Sequence, residues 1–406
     1  MADETTTSFA NLLYEMREAL QKLYPTKFVL SAELARDSDE ANFSGDSVRV
    51  PLILNTPQGA GGVSEGGTVN TPHALRTNEA HVRLSELVSP LSITSKLRKV
   101  SLSNSAAEAL ALRVTGARES LARILNEMMH GDGDALLASI TGAGGSPGLT
   151  LPVGTGANWF NLYPGRIVDV RTRSTGADPG QGLMRRIASV DKAGGNVVFD
   201  TASFGGGSGA ITFAATSGTY IEGTYGNAMQ GLGQVTAITG TFEDIDKALV
   251  PEWRGVDGRA GDVTVQSLSI PMLDNALIEL QPSGGDIWEF GVGDPRAVNK
   301  YKQGLYAQLR WAGDSGKLAT GFEGPLYNGK PLIGDMAAKP SRVLLVDKQA
   351  LKKYGVGNGP DYVEDTGSMF QRFSRTTSVE VWLQDLTQLG ALKCNTTAFL
   401  DNLAIA

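Results

Sequence analysis

The strongest constraint in this sequence is a stretch of extended chain that leads directly into one long helix. Residues 46–100 read as two extended arms joined by a glycine-rich tip, and the helix follows from Ser105 to Met129. Val48, Val50, Leu52 and Leu54 alternate with Arg49, Pro51 and Ile53 as an imperfect strand, and Pro51, which cannot donate to a ladder, marks it as an edge. Residues 57–70, PQGAGGVSEGGTVN, supply a flexible tip, and Val82, Leu84, Leu91 and Ile93 form the return arm. Exposed arms bury little apolar surface within their own domain, so they become stable when another subunit covers them. The pattern points to assembly.

The helix rests on spacing. Leu110, Val114, Ala117, Leu121, Ile124 and Met128 recur every three to four residues and share one apolar stripe. Ser105 and Glu108 fit a capping box at its start, Glu119 and Arg123 form a favourable i,i+4 pair on the wet face, and Gly131 and Gly133 stop it. Such a helix spans about 37 Å at 1.5 Å rise per residue.

Around this centre the chain changes character several times. Residues 1–45 read as an arm, with an amphipathic helix marked by Phe9, Leu12, Leu13, Met16, Leu20 and Leu23 and ended by Pro25, then an exposed polar linker, Arg36 to Glu40. Residues 142–240 carry 22 glycines, against about 7% in an average protein. Between them lie strand-like runs at Ile167–Arg171, Met184–Val190, Val197–Asp200 and Ile211–Phe213, and the turn Asp191–Asn196 joins two of these as a hairpin. A compact β subdomain inserted between helical parts accounts for this. From residue 241 the chain is mixed α/β. Asp294-Pro295 opens a helix to about Leu309, Val343–Val346 is a short buried strand, and Asp347 caps a helix Lys348–Tyr354. Val379–Leu383 alternates as a half-buried strand, and a last strand lies near Thr397–Leu400.

The chemistry of catalysis is sought and not found. Gly144-Gly145-Ser146-Pro147-Gly148 matches G-x-S-x-G literally, but Pro147 lacks the N–H that an oxyanion hole requires. Gly205, Gly207 and Ala210 imitate a dinucleotide fingerprint, yet Ile211-Thr212-Phe213 continues as β structure where a helix is needed. Gly329-Lys330 lacks Walker spacing. His130 to Asp134 lacks the ligand spacing of an EF-hand and reads as a helix stop. The three histidines, His73, His81 and His130, are scattered, and the single cysteine, Cys394, sits in an apolar run as a buried small residue. No catalytic, cofactor-binding or metal-binding residue is assigned, and no cofactor is expected. The net charge of −7 argues against a protein whose main task is to grip a phosphate backbone. The N-terminus, MADETTTSFANLL, has no basic region before an apolar run, and no window of eighteen apolar residues exists, so neither a signal peptide nor a membrane span is expected. A soluble protein made in a cytosol fits.

Taken in order, these pieces resemble the major capsid protein of a tailed bacteriophage, with the HK97-like fold. The resembling residues are the first arm Gly45-Asp46-Ser47-Val48-Arg49-Val50-Pro51-Leu52, the tip ending Val63-Ser64-Glu65-Gly66-Gly67-Thr68, and the return arm Leu91-Ser92-Ile93-Thr94. The helix ending Leu125 to Gly133 and the run Gly321-Phe322-Glu323-Gly324-Pro325-Leu326-Tyr327-Asn328-Gly329-Lys330 onward to Asp335 follow suit. No single motif is specific; the order of parts, over nearly the whole chain, carries the resemblance.

The resemblance implies an α+β chain divided as follows: 1–45 an N-terminal arm, 46–100 an extended loop over a neighbouring subunit, and 101–154 a peripheral domain with its spine helix. Residues 155–240 would be an inserted β subdomain, 241–345 mainly the axial domain, and 346–406 the return to the peripheral domain. It implies a structural protein rather than an enzyme, assembled in a host cytoplasm into the hexamers and pentamers of an icosahedral shell around double-stranded DNA, held without sequence specificity. The implied partners are further copies of the chain, a portal protein and, with room left for it, a decoration protein. Only about 45 residues precede the loop, too few for a long fused scaffolding domain, so a separate scaffolding protein is expected. Covalent lysine–asparagine cross-linking, known in some relatives, is not carried over, because Lys96 and Lys99 lie at the end of the return arm rather than its tip. The alternatives are the shell of a cellular nanocompartment of the same fold, a phage tail or adhesin module, and a β-rich hydrolase without a sequence signature.

Overall fold

The computed structural model describes residues 28–405, apart from 38–42, 45–46, 56–60, 69–70, 72–73, 95–103, 143–148, 155, 181, 204–210, 212, 284–287, 309–315, 318–322, 358, 364–370 and 373–377. The helix expected over Phe9–Leu23 and the two glycine motifs around Ser146 and Gly205 lie outside the described residues. The first described element is a short helix, α1 (Val29–Glu33), whose Val29 and Leu30 are buried. Next comes β1 (Arg36–Asp37), which corrects the expected linker: it pairs in parallel with a strand near the other end of the chain, Arg36 opposite Lys353. The reason is electrostatic as much as conformational. The Arg36 guanidinium reaches the buried Asp385 carboxylate at 2.9 Å and donates to the Val356 and Leu386 carbonyls.

The two arms are a hairpin. β2 (Phe43–Ser44) leads into β3 (Ser47–Asn55), which pairs antiparallel with β4 (Arg76–Arg83) from Ser47↔Arg83 outward to Asn55↔Arg76. β2 reaches only Ser47 and Val48, so among the described residues Pro51 lies where β3 has a neighbour on one side alone. The expected return arm is longer than the observed one. Leu91 and Ile93 lie in β5 (Ser85–Thr94), which leaves the hairpin at Leu84 and pairs from end to end with a C-terminal strand, Ser85↔Thr387 through Thr94↔Ser378. β3 is already occupied by β4, and the longer C-terminal strand offers ten consecutive partners.

The long helix α2 runs Asn104–His130, one residue past each expected end. On its stripe Ala117, Leu121 and Met128 are buried, with Val114 and Ile124 half-buried. The side chains of 104–112, including the expected capping pair and Leu110, lie outside the described residues. From Leu125 to His130 every residue is buried, so the last turns are enclosed on all sides.

The glycine-rich stretch folds into one antiparallel six-stranded sheet: β6 (Leu136–Ser139), β7 (Thr150–Pro152), β8 (Ile167–Thr172), β9 (Arg185–Asp191), β10 (Asn196–Ser203) and β11 (Ser217–Ile221). Its order is β6-β11-β8-β9-β10-β7, so strands that precede residue 155 belong to it. Three of the four expected runs are strands, and the expected hairpin pairs Asp191 with Asn196. The fourth is corrected: Ile211 makes a single bridge, and the strand is Ser217–Ile221. All five of its residues are buried, so it carries no alternation to read.

A short helix α3 (Leu232–Thr236) follows, then β12 (Thr241–Phe242) and β13 (Ile245–Asp246), joined by Glu243-Asp244 with both residues at positive φ. Two such residues in succession match the twist of a tight hairpin. Next come β14 (Val256–Asp257), α4 (Ile270–Leu280), β15 (Phe290–Gly293) and α5 (Pro295–Gln308), the last as expected from Asp294-Pro295. A short pair, β16 (Gly316–Lys317) and β17 (Glu323–Gly324), precedes β18 (Leu326–Tyr327), β19 (Lys330–Gly334) and β20 (Val343–Val346).

The expected helix 348–354 is overturned. Asp347 does cap a turn, accepting from Gln349 N at 3.0 Å, but Leu351–Gly355 is a strand, β21. Along β22 (Asp361–Tyr362), β23 (Gln371–Arg372) and the long β24 (Ser378–Ala391), the need to pair β24 on both sides overrides local helix preference: Leu351↔Ala391 to Gly355↔Thr387 fill one edge and β5 the other. β25 (Ala398–Leu400) closes the chain's last sheet, of order β14-β25-β20-β15-β19-β18. That sheet separates two cores. Phe290, Val292, Leu344 and Val346 face a large core shared with α2 and the inserted sheet. Leu332, Val343, Leu345 and Leu400 face a smaller one under α4 and α5.

Candidate assembly surface

The β3–β4 hairpin is half covered by its own chain. Near its base Val48, Val50, Leu52, Ala80 and Val82 are buried, facing inward by strand alternation. Leu54 is still half-buried against the core, but the cover thins: Ile53 on the outward face is 70% exposed, Leu75 is exposed, and every residue from Gly61 to Thr68 is exposed. Within the tip, Gly67 N donates to the Ser64 carbonyl at 2.8 Å around Gly66, whose φ of +76° suits glycine.

The base is clamped by the turn Glu243-Asp244. His81 N donates to the Glu243 carbonyl at 3.0 Å, Arg83 pairs with Asp244 at 2.9 Å, and Gln388 Nε2 donates to the Arg83 carbonyl at 2.8 Å. Beneath the turn lies a buried ionisable cluster. Glu243 Oε1 accepts from Ala391 N at 2.7 Å, and burial pushes its carboxyl up to about 8. The Lys247 ammonium donates to the carbonyls of Gln234, Val235 and Ala237 at 2.7, 2.7 and 2.9 Å, and burial pulls it below the ordinary lysine range. Cys394, wholly buried beside them, has its thiol pushed up by burial, which keeps it protonated and inert. Its reading as a buried small residue holds.

A second buried polar joint ties α2 to the rest of the chain. His130 Nε2 lies 3.0 Å from the Asp335 carboxylate, and Asn126 Nδ2 donates to both Asp335 oxygens at 3.3 and 3.1 Å. Asn126 Oδ1 accepts from Ser31 N at 3.2 Å, which brings in α1. Burial alone would raise Asp335; the His130 charge and these hydrogen bonds outweigh it and hold the carboxyl below its ordinary value. One turn away, Glu127 and Arg166 form a buried bidentate pair at 2.9 and 2.6 Å, linking α2 to the inserted sheet. The helix stop therefore does more than end a helix: Asp132 also pairs with Lys339 and, at 3.5 Å, with Arg342.

None of this converges as a reaction centre would. His81 sits on the hairpin, 4.0 Å from Glu79, and His130 in the enclosed joint; His73 lies outside the described residues. Among the described residues no group of three or more His, Cys, Asp or Glu side chains is placed to hold a metal, and no helix is long and apolar enough to cross a membrane. The features missed in the sequence are the partners of His130 and Glu127. Asp335 and Arg166 stand 205 and 39 positions along the chain, and only the fold brings them in.

No protein-family model matches this sequence, and no characterised protein sequence does. Solved structures do. The "Cyanophage A-1(L) capsid asymmetric unit" superposes with a TM-score of 0.57 at 11% identity, over 95% of each chain. Looser likenesses, at TM-scores of 0.46 and 0.44, are the "Capsid of native GTA particle" (10% identity, 100% of this chain and 96% of that one) and the holo-SrpI encapsulin of Synechococcus elongatus PCC 7942 (11% identity, 100% and 98%). The cyanophage likeness, with the hairpin, long helix and mixed sheets described above, assigns the chain the α+β, HK97-like capsid fold.

Proposed function

We propose that this protein is the major capsid protein of a tailed bacteriophage, a non-enzymatic subunit that assembles as hexamers and pentamers into an icosahedral shell around double-stranded DNA. The observation that carries the reading is the hairpin: its base is packed and clamped, yet Ile53, Leu75 and the whole described tip are exposed. Burial against a neighbouring copy would cover them, and stability would then accrue across a lattice. The division into N-terminal arm, extended loop, peripheral, inserted and axial parts belongs to the same proposal, as do the separate scaffolding protein, the portal protein and assembly in the host cytoplasm. A nanocompartment shell of the same fold would differ in its contents.

The test is negative-stain microscopy of the chain expressed alone and with a candidate scaffolding protein. Closed icosahedral particles, or isolated hexamers and pentamers, are expected, with nuclease-protected DNA inside particles made during infection. A monodisperse monomer under both conditions overturns the shell reading; shells that hold protein cargo and no DNA would make the nanocompartment the answer.

A further inference from the structure

A second apolar surface lies beside α4, and its construction suggests its partner. Between the loop after β14 and the outer side of α4 runs a groove of about 370 Å³, lined among others by Asp262, Gln266, Pro271, Ile278 and Glu279. The loop is held rigid from below. Arg259, with its side chain 3% exposed, donates to the carbonyls of Asp401 at 2.7 Å and Thr264 at 2.6 Å and pairs with Asp262 at 3.1 Å. Asp262 in turn accepts from Thr264 N at 2.9 Å, and Ala404 N donates to the Gln266 carbonyl at 2.8 Å. A loop pinned this firmly still presents Val263 at 76% and Val265 at 73% exposure, and α4 adds Ile278 at 58%. Ile278 lines the groove, Val263 and Val265 stand out from the loop beside it, and ordered apolar side chains displayed in this way mark a contact surface.

Charge says what fits it. From Ala260 to Asp294 the chain carries Asp262, Asp274, Glu279, Asp286, Glu289 and Asp294 and no Lys, Arg or His. The next element reverses the sign: α5 carries Arg296, Lys300 and Lys302 and no acid. Arg296 pairs with Asp294 at 2.9 Å, and Asn299, Lys302 and Gln303 lie exposed on the outer face of the helix. The two surfaces are distinct, since the groove follows β14 at one edge of its sheet and α5 packs over β19, four strands away.

We propose that the groove between residues 258–266 and α4 receives the basic outer face of α5 from a second copy of this chain. The inference deepens the shell reading and rests on it. Groove and α5 are different patches of one chain, so the contact is head-to-tail and repeats until a ring closes, as a hexamer or pentamer requires.

The experiment compares the wild-type chain with Val263→Asp/Val265→Asp, Glu279→Lys, and Glu279→Lys combined with Lys302→Glu. Assembly is followed by light scattering, sedimentation and microscopy, and folding of each variant is checked by circular dichroism. All four substituted side chains are exposed, so folded subunits are expected throughout. The valine pair and Glu279→Lys should lower ring or shell yield about ten-fold or more, equivalent to at least about 1.4 kcal/mol per contact, and the added Lys302→Glu should restore it. Wild-type yield from the valine pair and Glu279→Lys overturns the groove as an interface while leaving the shell reading intact. Loss without rescue overturns α5 as its occupant. A wild-type chain that stays monomeric overturns both readings together.

Discussion

At the scale of single residues, two buried groups govern how stability responds to pH. The Glu243 carboxyl is raised from an ordinary 4.5 to about 8 by burial. Between those values the unfolded chain ionises while the folded one keeps its proton, so this residue makes stability fall as pH rises from about 4.5 to 8. Lys247, lowered by burial, contributes the opposite slope on the alkaline side. Glu243→Gln should flatten the decline between pH 5 and 8, as read from urea unfolding midpoints. Asp335 is shifted the other way, so its contribution is complete above 3.8 and lost as pH falls below. Asp335→Asn removes the buried charge that faces His130 and puts an NH2 donor where a carboxylate oxygen accepted, which should cost about 3 kcal/mol at neutral pH. Thermal unfolding across an acid series should show that deficit shrinking below pH 4.

Elements obey their neighbours as much as their own sequence. The Lys348–Tyr354 segment begins with a sound cap at Asp347, yet pairing with β24 decides it as a strand. The strand Ser217–Ile221 and the course of the return arm's second half escape local patterns for related reasons, one because full burial erases alternation, the other because its partner is nearly 300 residues away. Tight packing makes some element positions intolerant. A Cβ added at Gly293, in β15, would lie 2.5 Å from the Arg342 carbonyl oxygen and 2.7 Å from Val343 Cα, both backbone atoms. Gly293→Ala should therefore lower the subunit's melting temperature by several degrees, in the range of about 1–3 kcal/mol for overpacking. The hairpin tip behaves oppositely. Deleting 56–70 removes no buried side chain among the described residues, so circular dichroism and the melting temperature of the subunit should stay unchanged while shells are lost; normal shells from that variant would refute the loop's assigned part.

Over the whole molecule the two cores are not independent. Phe290 and Val292 alternate with Gly291 and Gly293 in a strand whose neighbours send Leu344 and Val346 to one core and Val343 and Leu345 to the other. One sheet thus belongs to both, and the Asp335 joint bolts it to α2. Scanning calorimetry of the unassembled subunit should show a single cooperative transition; two separated transitions would mean that the shared sheet does not couple them.

What the sequence determined by itself was whatever depends on near neighbours. The stripe of α2, the alternation of β3, the Asp294-Pro295 helix start and the Asp191–Asn196 turn are written within a few residues and appear where expected. The order of those parts was enough to indicate an HK97-like fold. Tertiary structure decided what depends on distant partners: the course of β5 and β21, and the capture of Arg36 by Asp385. It also turned an apparent helix stop into the His130–Asp335–Asn126 joint. Burial makes an ionic group costly until its partner arrives, and the partners of Arg36, Glu127 and His130, namely Asp385, Arg166 and Asp335, stand tens to hundreds of positions away, where no local pattern records them.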